Sequence, residues 1–170
     1  MRVLCVNNEI DMAQIIKERM TAETDEEFVV FLIGMRINKL WKIHKWFPLT
    51  LAMPKMISEL YENPDIGLIS HEQWFGRTTI MVQSWKSFEH LESYAKNKNK
   101  HHLPAWSKFN KNIGSNGDVG IWHETYLSKK GSFESVYNNM PRFGLAKAMN
   151  CVPATGKYKS ANDRLNNKNT

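Results

Sequence analysis

The amino-acid sequence predicts an α+β domain in which one antiparallel sheet carries two helices on one face. Three observations lead to this prediction. A β-branched and aromatic run fills residues 28–37, a stretch with apolar residues at helical spacing follows it, and two strand-like runs meet at Phe75-Gly76. The 170 residues suffice for one domain with tails, since domains commonly hold about 100–150 residues.

The first strand and the first helix account for residues 28–64. Residues 28–37 are almost wholly apolar, which is typical of a strand buried on both faces. Residues 38–64 place apolar side chains three and four positions apart, as in an amphipathic helix. Proline cannot donate a backbone hydrogen bond, so Pro48 and Pro54 are expected to interrupt this helix.

The remaining elements complete the order βαββαβ. Strands over residues 66–74 and 77–85 form a hairpin with a two-residue turn. Ser87 is a suitable N-cap for the next helix, which resumes over residues 102–109. Alternation over residues 119–127 predicts the last strand. This order is the ferredoxin-like, split βαβ arrangement.

The ends of the chain are predicted to lie outside this domain. We expect an N-terminal arm over residues 1–26, with a modest helical signal, and the ferredoxin-like domain over residues 27–138. Residues 139–170 form a basic extension that is expected to be irregular and partly disordered.

The two-residue turn also predicts which side chains share a face of the sheet. It would pair residue 70 with residue 81 and place these side chains away from the helices: Phe28, Val30, Leu32, Trp74, Met81 and Trp85. Such an apolar face needs a cover, and a second copy of the sheet supplies one. We therefore expect a homodimer through the sheet faces, a dimeric α+β barrel.

Charge and cysteine content argue against several classes of protein. The net charge is +6, but residues 142–170 alone contribute six basic residues and one acid, and the rest is nearly neutral. No nucleic-acid-binding motif accompanies this tail, so no nucleic-acid partner is expected. No apolar run is long enough to span a membrane, and the N-terminus does not resemble a secretory signal. Two cysteines without CxxC spacing fit a reducing cytoplasm.

Several histidines are directed at the sheet layer beneath the helices. Strand alternation places His71 and His123 there, and the second helical stretch begins with His101 and His102. Satisfied structural histidines are one interpretation. A cofactor is another, because imidazoles in an apolar layer need partners.

The inventory of residues favours haem over other cofactors. Zinc would need three or four ligands at tetrahedral range, and no HExxH or cysteine cluster occurs. The glycines form neither GxGxxG nor a Walker loop, so a nucleotide cofactor is not supported. Haem needs one axial histidine and an apolar, aromatic pocket.

Four segments resemble one family. FVVFLIGMRIN begins at residue 28, HEQWFGRTTIMVQSWKSFEHLESYA at residue 71, HLPAWSKFN at residue 102 and GDVGIWHETY at residue 117. They are similar to a bacterial and fungal monooxygenase-like family of the dimeric α+β barrel superfamily, which also holds the antibiotic-biosynthesis monooxygenases. The likeness extends over about residues 27–165, and it implies an enzyme acting on a small molecule.

A more distant resemblance assigns roles to two histidines. KHHLPAW at residues 100–106, followed by IWHE at residues 121–124, is similar to segments of the haem-containing aldoxime dehydratases. This resemblance implies that His102 is the axial iron ligand and that His123 is the distal acid–base.

The sequence thus predicts a haem-dependent, monooxygenase-like enzyme with a pocket between sheet and helices. His102 would bind iron, Trp106, Trp122 and Phe31 would line the pocket, and His123, with His71, would be catalytic. One alternative is an aldoxime dehydratase-like lyase. Another is a cofactor-independent monooxygenase that holds an electron-rich aromatic substrate with Asn38, Trp41, His71 and Trp106. A haem or small-ligand binding protein without turnover is a further alternative.

Overall fold

A computed structural model describes residues 14–97, 107 and 116–166 of the chain. It contains two compact units: residues 24–133, and the N-terminal 23 residues together with residues 134–170. In chain order the strands are β1 (Met20–Glu23), β2 (Phe28–Ile37), β3 (Leu68–Trp74), β4 (Ile80–Trp85), β5 (Val119–Ser128) and β6 (Asn150–Pro153). The helices are α1 (Ile43–Glu62), α2 (Phe88–Lys96), α3 (Leu145–Ala148) and α4 (Ala161–Leu165).

The larger unit is built on a four-stranded antiparallel sheet with the strand order β3-β4-β2-β5. Strand β2 is central and pairs with β4 on one side and with β5 on the other. Its β-branched and aromatic residues suit a strand with neighbours on both sides. The order of elements is the ferredoxin-like one, so this prediction is confirmed.

The hairpin of β3 and β4 differs from the prediction. Its loop covers residues 75–79, and Ser70 pairs with Ser84 instead of Met81. A shift of three positions reverses the faces of β4, because side chains alternate along a strand. Met81 and Trp85, expected on the other face, therefore lie on the helix side.

The longer loop has a physical cause in the pairing of residues 77–79 with β2. The Ile37 amide donates to the Arg77 carbonyl oxygen, and the Thr79 amide donates to the Met35 carbonyl oxygen. The Met35 amide also donates to the Thr79 hydroxyl. These residues are thus hydrogen-bonded to β2 and do not continue the pairing with β3. No local sequence pattern predicts such a long-range pairing.

Helix α1 continues through both prolines at which an interruption was expected. Together with α2 it covers one face of the sheet, and their contact forms a core of Val29, Leu60, Leu68, Trp85, Leu91 and Tyr94. The predicted N-cap of α2 is confirmed, since the Ser87 hydroxyl accepts a hydrogen bond from the His90 amide. The helix predicted over residues 102–109 falls outside the described residues, Ser107 apart.

The smaller unit is more ordered than the sequence suggests. Strand β1 pairs antiparallel with β6, so part of the arm in which a modest helical signal was predicted forms a strand. The expectation that residues 139–170 are irregular is wrong for the described part. Helices α3 and α4 lie there, and α4 begins with a capping box of Ser160 and Asp163. Such short elements carry too few residues to show a period.

Among the described residues, no helix combines the length and the apolar character that a membrane span requires.

Candidate functional site

A cavity of about 140 Å³ lies between the sheet and the two helices of the larger unit. Helix α1 contributes Leu49, Thr50, Ala52, Met53, Met56, Ile57 and Leu60, and α2 contributes Leu91, Tyr94 and Ala95. The sheet and its loop contribute Phe31, Ile33, Gly34, Met35, Gln73, Phe75, Thr79, Met81, Gln83, Trp85 and Ile121.

Regular side-chain periodicity explains why these residues meet. Phe31, Ile33 and Met35 are alternate residues of β2 and therefore share its helix-side face. On α1, lining residues three and four positions apart run from Leu49 to Leu60, so one stripe of the helix faces the sheet. The lining is almost wholly apolar. A dry cavity of about 150 Å³ can hold a benzene ring, so this one has room for a small ring.

Two of the polar lining side chains already use their hydroxyl groups on the backbone. The Thr50 hydroxyl donates to the Phe47 carbonyl oxygen at 2.7 Å. The Thr79 hydroxyl accepts from the Met35 amide at 3.0 Å. Both residues therefore offer little hydrogen-bonding capacity to a bound molecule.

Gln83 is a buried amide in this apolar lining, with 6% of its surface exposed. Its Oε1 accepts a hydrogen bond of 2.9 Å from the indole Nε1 of Trp85. Its Nε2 lies 3.0 Å from the Sδ atom of Met81. A buried amide needs such partners, because its transfer from water without them is costly.

Tyr94 is the only lining residue, among those described, whose side chain titrates. Its hydroxyl donates to the Glu59 carboxylate at 3.1 Å, and its ring packs against the Trp85 ring with centroids 5.9 Å apart. Burial, and then the negative charge of Glu59, raise the pKa of Tyr94 above its ordinary value. The phenol therefore stays protonated at neutral pH.

His71 and His123 both lie on the helix side of the sheet, as alternation predicts, but at opposite edges. His71 is on β3 and pairs with Gln83, and its Nδ1 lies 2.9 Å from the Tyr61 hydroxyl. His123 is on β5 and pairs with Ile33. Three strand spacings separate them, about 14 Å in all. A molecule that fits the cavity cannot touch both.

His123 is connected to the cavity through Phe31. The rings of Phe31 and His123 have centroids 5.8 Å apart, and Phe31 itself lines the cavity as predicted. The imidazole is exposed and stands on an edge strand. It therefore lies beside the cavity wall, not inside it.

Other predicted lining residues are elsewhere. Trp122 pairs with Gly34 and lies on the face of the sheet away from the helices, so its predicted place in the pocket is wrong. Trp41 is 75% exposed, and the side-chain amide of Asn38 donates to the Gly117 carbonyl oxygen. His101, His102 and Trp106 lie outside the described residues.

Comparison with known proteins assigns the chain to a family. Residues 28–145 match the family described as Monooxygenase af470-like. The chain belongs to this family. A family member, Monooxygenase af470 of Aspergillus fumigatus, is 28% identical over 154 residues, which cover 75% of this chain and 53% of that protein. The chain thus spans about half the length of the curated relative it matches.

The Monooxygenase af470-like match includes every described residue that lines the cavity.

Two aldoxime dehydratase crystal structures share the fold. One, a complex with butyraldoxime, has a TM-score of 0.65 at 14% identity and covers 78% of this chain and 40% of that chain. The other has a TM-score of 0.59 at 15% identity, and the match covers 82% of this chain and 46% of that chain. The predicted family resemblance is confirmed, and the likeness to aldoxime dehydratases is confirmed as a likeness of fold.

The described residues do not by themselves complete a haem site. The volume suits one small ring, and a tetrapyrrole is several times larger. The described lining holds no histidine to ligate iron and no lysine or arginine to pair with haem carboxylates. In the part of the chain that the structure describes, no cluster of three histidine, cysteine or acidic side chains could hold a metal ion. Iron ligation by His102 stays a prediction.

The most informative residues of the site, Gln83 and Tyr94, were missed from the sequence. The contact of Tyr94 with Glu59 joins two helices and has no local signal in the sequence. Gln83 follows from alternation only once the register of β4 is known, because it shares a face with Met81 and Trp85. The error of three positions in that register hid it.

Proposed function

We propose that the chain is a small-molecule enzyme of the monooxygenase-like type, and that its substrate is an uncharged, largely apolar molecule bound in the cavity. The observation that supports this most strongly is the cavity itself. It is lined mainly by apolar side chains of β2, β4, β5 and two helices, and its described lining falls wholly within the family match. Charged substrates are disfavoured, because an unpaired charge in such a lining is costly.

The chemistry we propose needs electrons from the substrate itself. An electron-rich phenol can react with one O₂ to give a quinone and one water: one oxygen atom enters the ring and the other leaves as water. The chain would hold the phenol, exclude water and accept its proton. His123 is the proposed acid–base, because its imidazole packs against Phe31 at the outer side of the cavity wall and would take the proton of a phenol whose hydroxyl lies at that edge.

Oxygen uptake with a panel of small phenols tests this proposal. Ala52→Trp places a large ring in the cavity, whereas Leu51→Trp, one residue along α1, places the same ring at a 56% exposed position. We expect one quinone per O₂ from the wild type and from Leu51→Trp, and at least a tenfold loss in Ala52→Trp. Absence of uptake with every phenol, or equal rates in both variants, would contradict the proposal.

A haem-dependent form of the enzyme, or an aldoxime dehydratase-like lyase, is the second candidate. The fold shared with aldoxime dehydratases and the position of His123 beside the cavity favour it. His102 is the proposed iron ligand. Haemin titration tests it: His102→Ala should lose the Soret shift and His71→Ala should keep it. Nitrile formation from butyraldoxime would support the lyase, and an unchanged spectrum in His102→Ala would exclude this ligand.

A further inference from the structure

We propose that Gln83 is the polar anchor of the cavity, and that its amide N–H group binds a neutral hydrogen-bond acceptor, such as a ketone or quinone oxygen, on the molecule bound there. This inference rests on the proposed function, because it names the chemical class of the molecule bound at that site. It also makes the cavity selective among apolar molecules of the same shape.

The orientation of the Gln83 amide is fixed by the chemistry of its neighbours. The Trp85 indole can only donate a hydrogen bond, so the amide oxygen must face it at 2.9 Å. The Met81 thioether can only accept, and weakly, so the amide nitrogen must face it at 3.0 Å. Both contacts require the same orientation of the amide.

This orientation leaves donor capacity for a ligand. A glutamine amide has two N–H groups. Among the bonds of the described residues, one N–H faces a weak sulfur acceptor and the other has no protein partner. Gln83 lines the cavity and is 94% buried, so this capacity lies at the cavity surface and not in solvent. A buried donor without a strong acceptor gains free energy when a ligand supplies one.

The anchor is also held rigidly. Trp85 is 1% exposed, belongs to the core between sheet and helices, and packs against the Tyr94 ring. Its indole therefore holds the Gln83 oxygen in one place, and the amide nitrogen needs little ordering when a ligand binds.

The acceptor on the ligand must be neutral. The described lining holds no lysine or arginine that could pair with an anion. The cavity volume limits the apolar part to about one small ring. Acetophenone meets these conditions, and ethylbenzene is its match in size without the oxygen.

Calorimetric titration of the full chain with these two probes tests the inference without any need for turnover. We expect acetophenone to bind roughly 3- to 10-fold more tightly than ethylbenzene to the wild type, as one neutral hydrogen bond would give. Gln83→Leu should abolish the preference. Gln14→Leu, the same substitution at an exposed position outside the cavity lining, is the control and should keep it.

The infrared carbonyl stretch of bound acetophenone gives a second readout that survives even if Gln83→Leu does not fold. We expect the wild type to shift it to lower wavenumber than in an alkane solvent. An unshifted stretch, or equal binding of both probes to the wild type, would overturn the anchor while leaving the cavity as the binding site. Failure of both probes to bind would instead contradict the proposed function.

Discussion

Asp118 is a charged residue with no exposed surface, whereas the other buried residues among those described are uncharged. Its carboxylate lies 2.8 Å from the Lys39 ammonium and 2.7 Å from that of Lys42. Its backbone oxygen accepts from the amides of Asn38 and Lys39. Asp118 therefore ties the segment that enters α1 to the start of β5, and α1 supplies a large share of the cavity wall.

Replacing this carboxylate should destabilise the domain in a pH-dependent way. Lys39 and then Lys42 lower the pKa of Asp118, so the folded state holds its proton less tightly than the unfolded chain. This stabilisation is complete above the unfolded pKa of about 4 and is lost as pH falls through the lower folded value. We expect Asp118→Asn to lower the urea midpoint at pH 7, with a smaller gap to wild type at pH 3.

The exposed Asp65 provides the control for this measurement. Asp65→Asn should leave the midpoint nearly unchanged at both pH values, since most surface substitutions change stability by less than about 0.5 kcal/mol. A difference in urea midpoint between wild type and Asp118→Asn that stayed constant from pH 7 to pH 3 would contradict the electrostatic account.

Tyr94→Phe tests the hydrogen bond that joins the two helices beside the cavity. The substitution keeps the ring but leaves the half-buried Glu59 carboxylate without this donor, so we expect a loss of about 1 kcal/mol in the free energy of unfolding at pH 7. Ser58→Ala removes a hydrogen bond to Glu62 from an exposed pair on α1 and should cost less than about 0.5 kcal/mol.

The pH dependence of the same variant follows from the raised pKa of Tyr94. The folded state keeps the phenol proton at a pH where the unfolded chain loses it, so wild-type stability should fall above about pH 10. Urea titrations at pH 8 and pH 10.5 should show the gap between wild type and Tyr94→Phe narrowing with rising pH. A gap that widened would contradict this assignment.

At the centre of the sheet, Gly34 is required by the close approach of the β3–β4 loop. A Cβ atom there would lie 2.0 Å from the Thr79 carbonyl oxygen and 2.7 Å from the Trp122 indole nitrogen. The first contact is with backbone, so it cannot be relieved by a side-chain rotation. The same approach creates the five-residue loop and so fixes which residues of β4 face the cavity.

Gly34→Ala should therefore destabilise the domain by roughly 1–3 kcal/mol or more, as overpacking of a tight site does. Gly120 lies on the neighbouring strand, and a Cβ atom there would meet the Arg36 Cβ at 3.8 Å, an ordinary contact. Thermal unfolding should place Gly120→Ala close to wild type. Equal melting temperatures for both variants would show that the loop can move away at little cost.

The elements of this domain differ in how far the sequence determines them. Strand β2 and the N-cap Ser87 follow from patterns within a few residues, and both are as predicted. The β4 register depends on residues 77–79 bonding to β2, about 40 positions away, and the turn at Phe75-Gly76 gives no sign of this. The pairing of β1 with β6 spans about 130 positions, and no local sequence pattern predicts it either. Local propensity predicts elements better than long-range pairing.

The sequence predicted a pocket in the layer where the cavity lies, but only part of the cavity lining. Phe31 lines the cavity, and both His71 and His123 lie on the predicted face. Their separation across the sheet could not be foreseen, because alternation defines a face and not a position across it. Gln83 was hidden by the register of β4.

For the whole molecule, we propose the homodimer that the sequence predicts, through the face of the sheet opposite the helices. Trp74 and Tyr126 on this face are 42% and 53% exposed. Light scattering of the full chain should give twice the 19.8 kDa mass. Leu32→Arg, on this face, should give the monomer, and Leu51→Arg, on the outer side of α1, should not. A wild-type mass of 19.8 kDa would contradict the dimer.

The account depends most on the cavity being the place where the substrate binds. Four of the nine methionines, Met35, Met53, Met56 and Met81, line it, whereas Met20, Met140 and Met149 belong to the other unit. Methyl NMR of the protein with labelled methionine, titrated with acetophenone, measures this directly. We expect the four cavity methyl signals to shift in a saturable way while the other three stay in place; shifts in those three with the cavity signals unmoved would contradict the account.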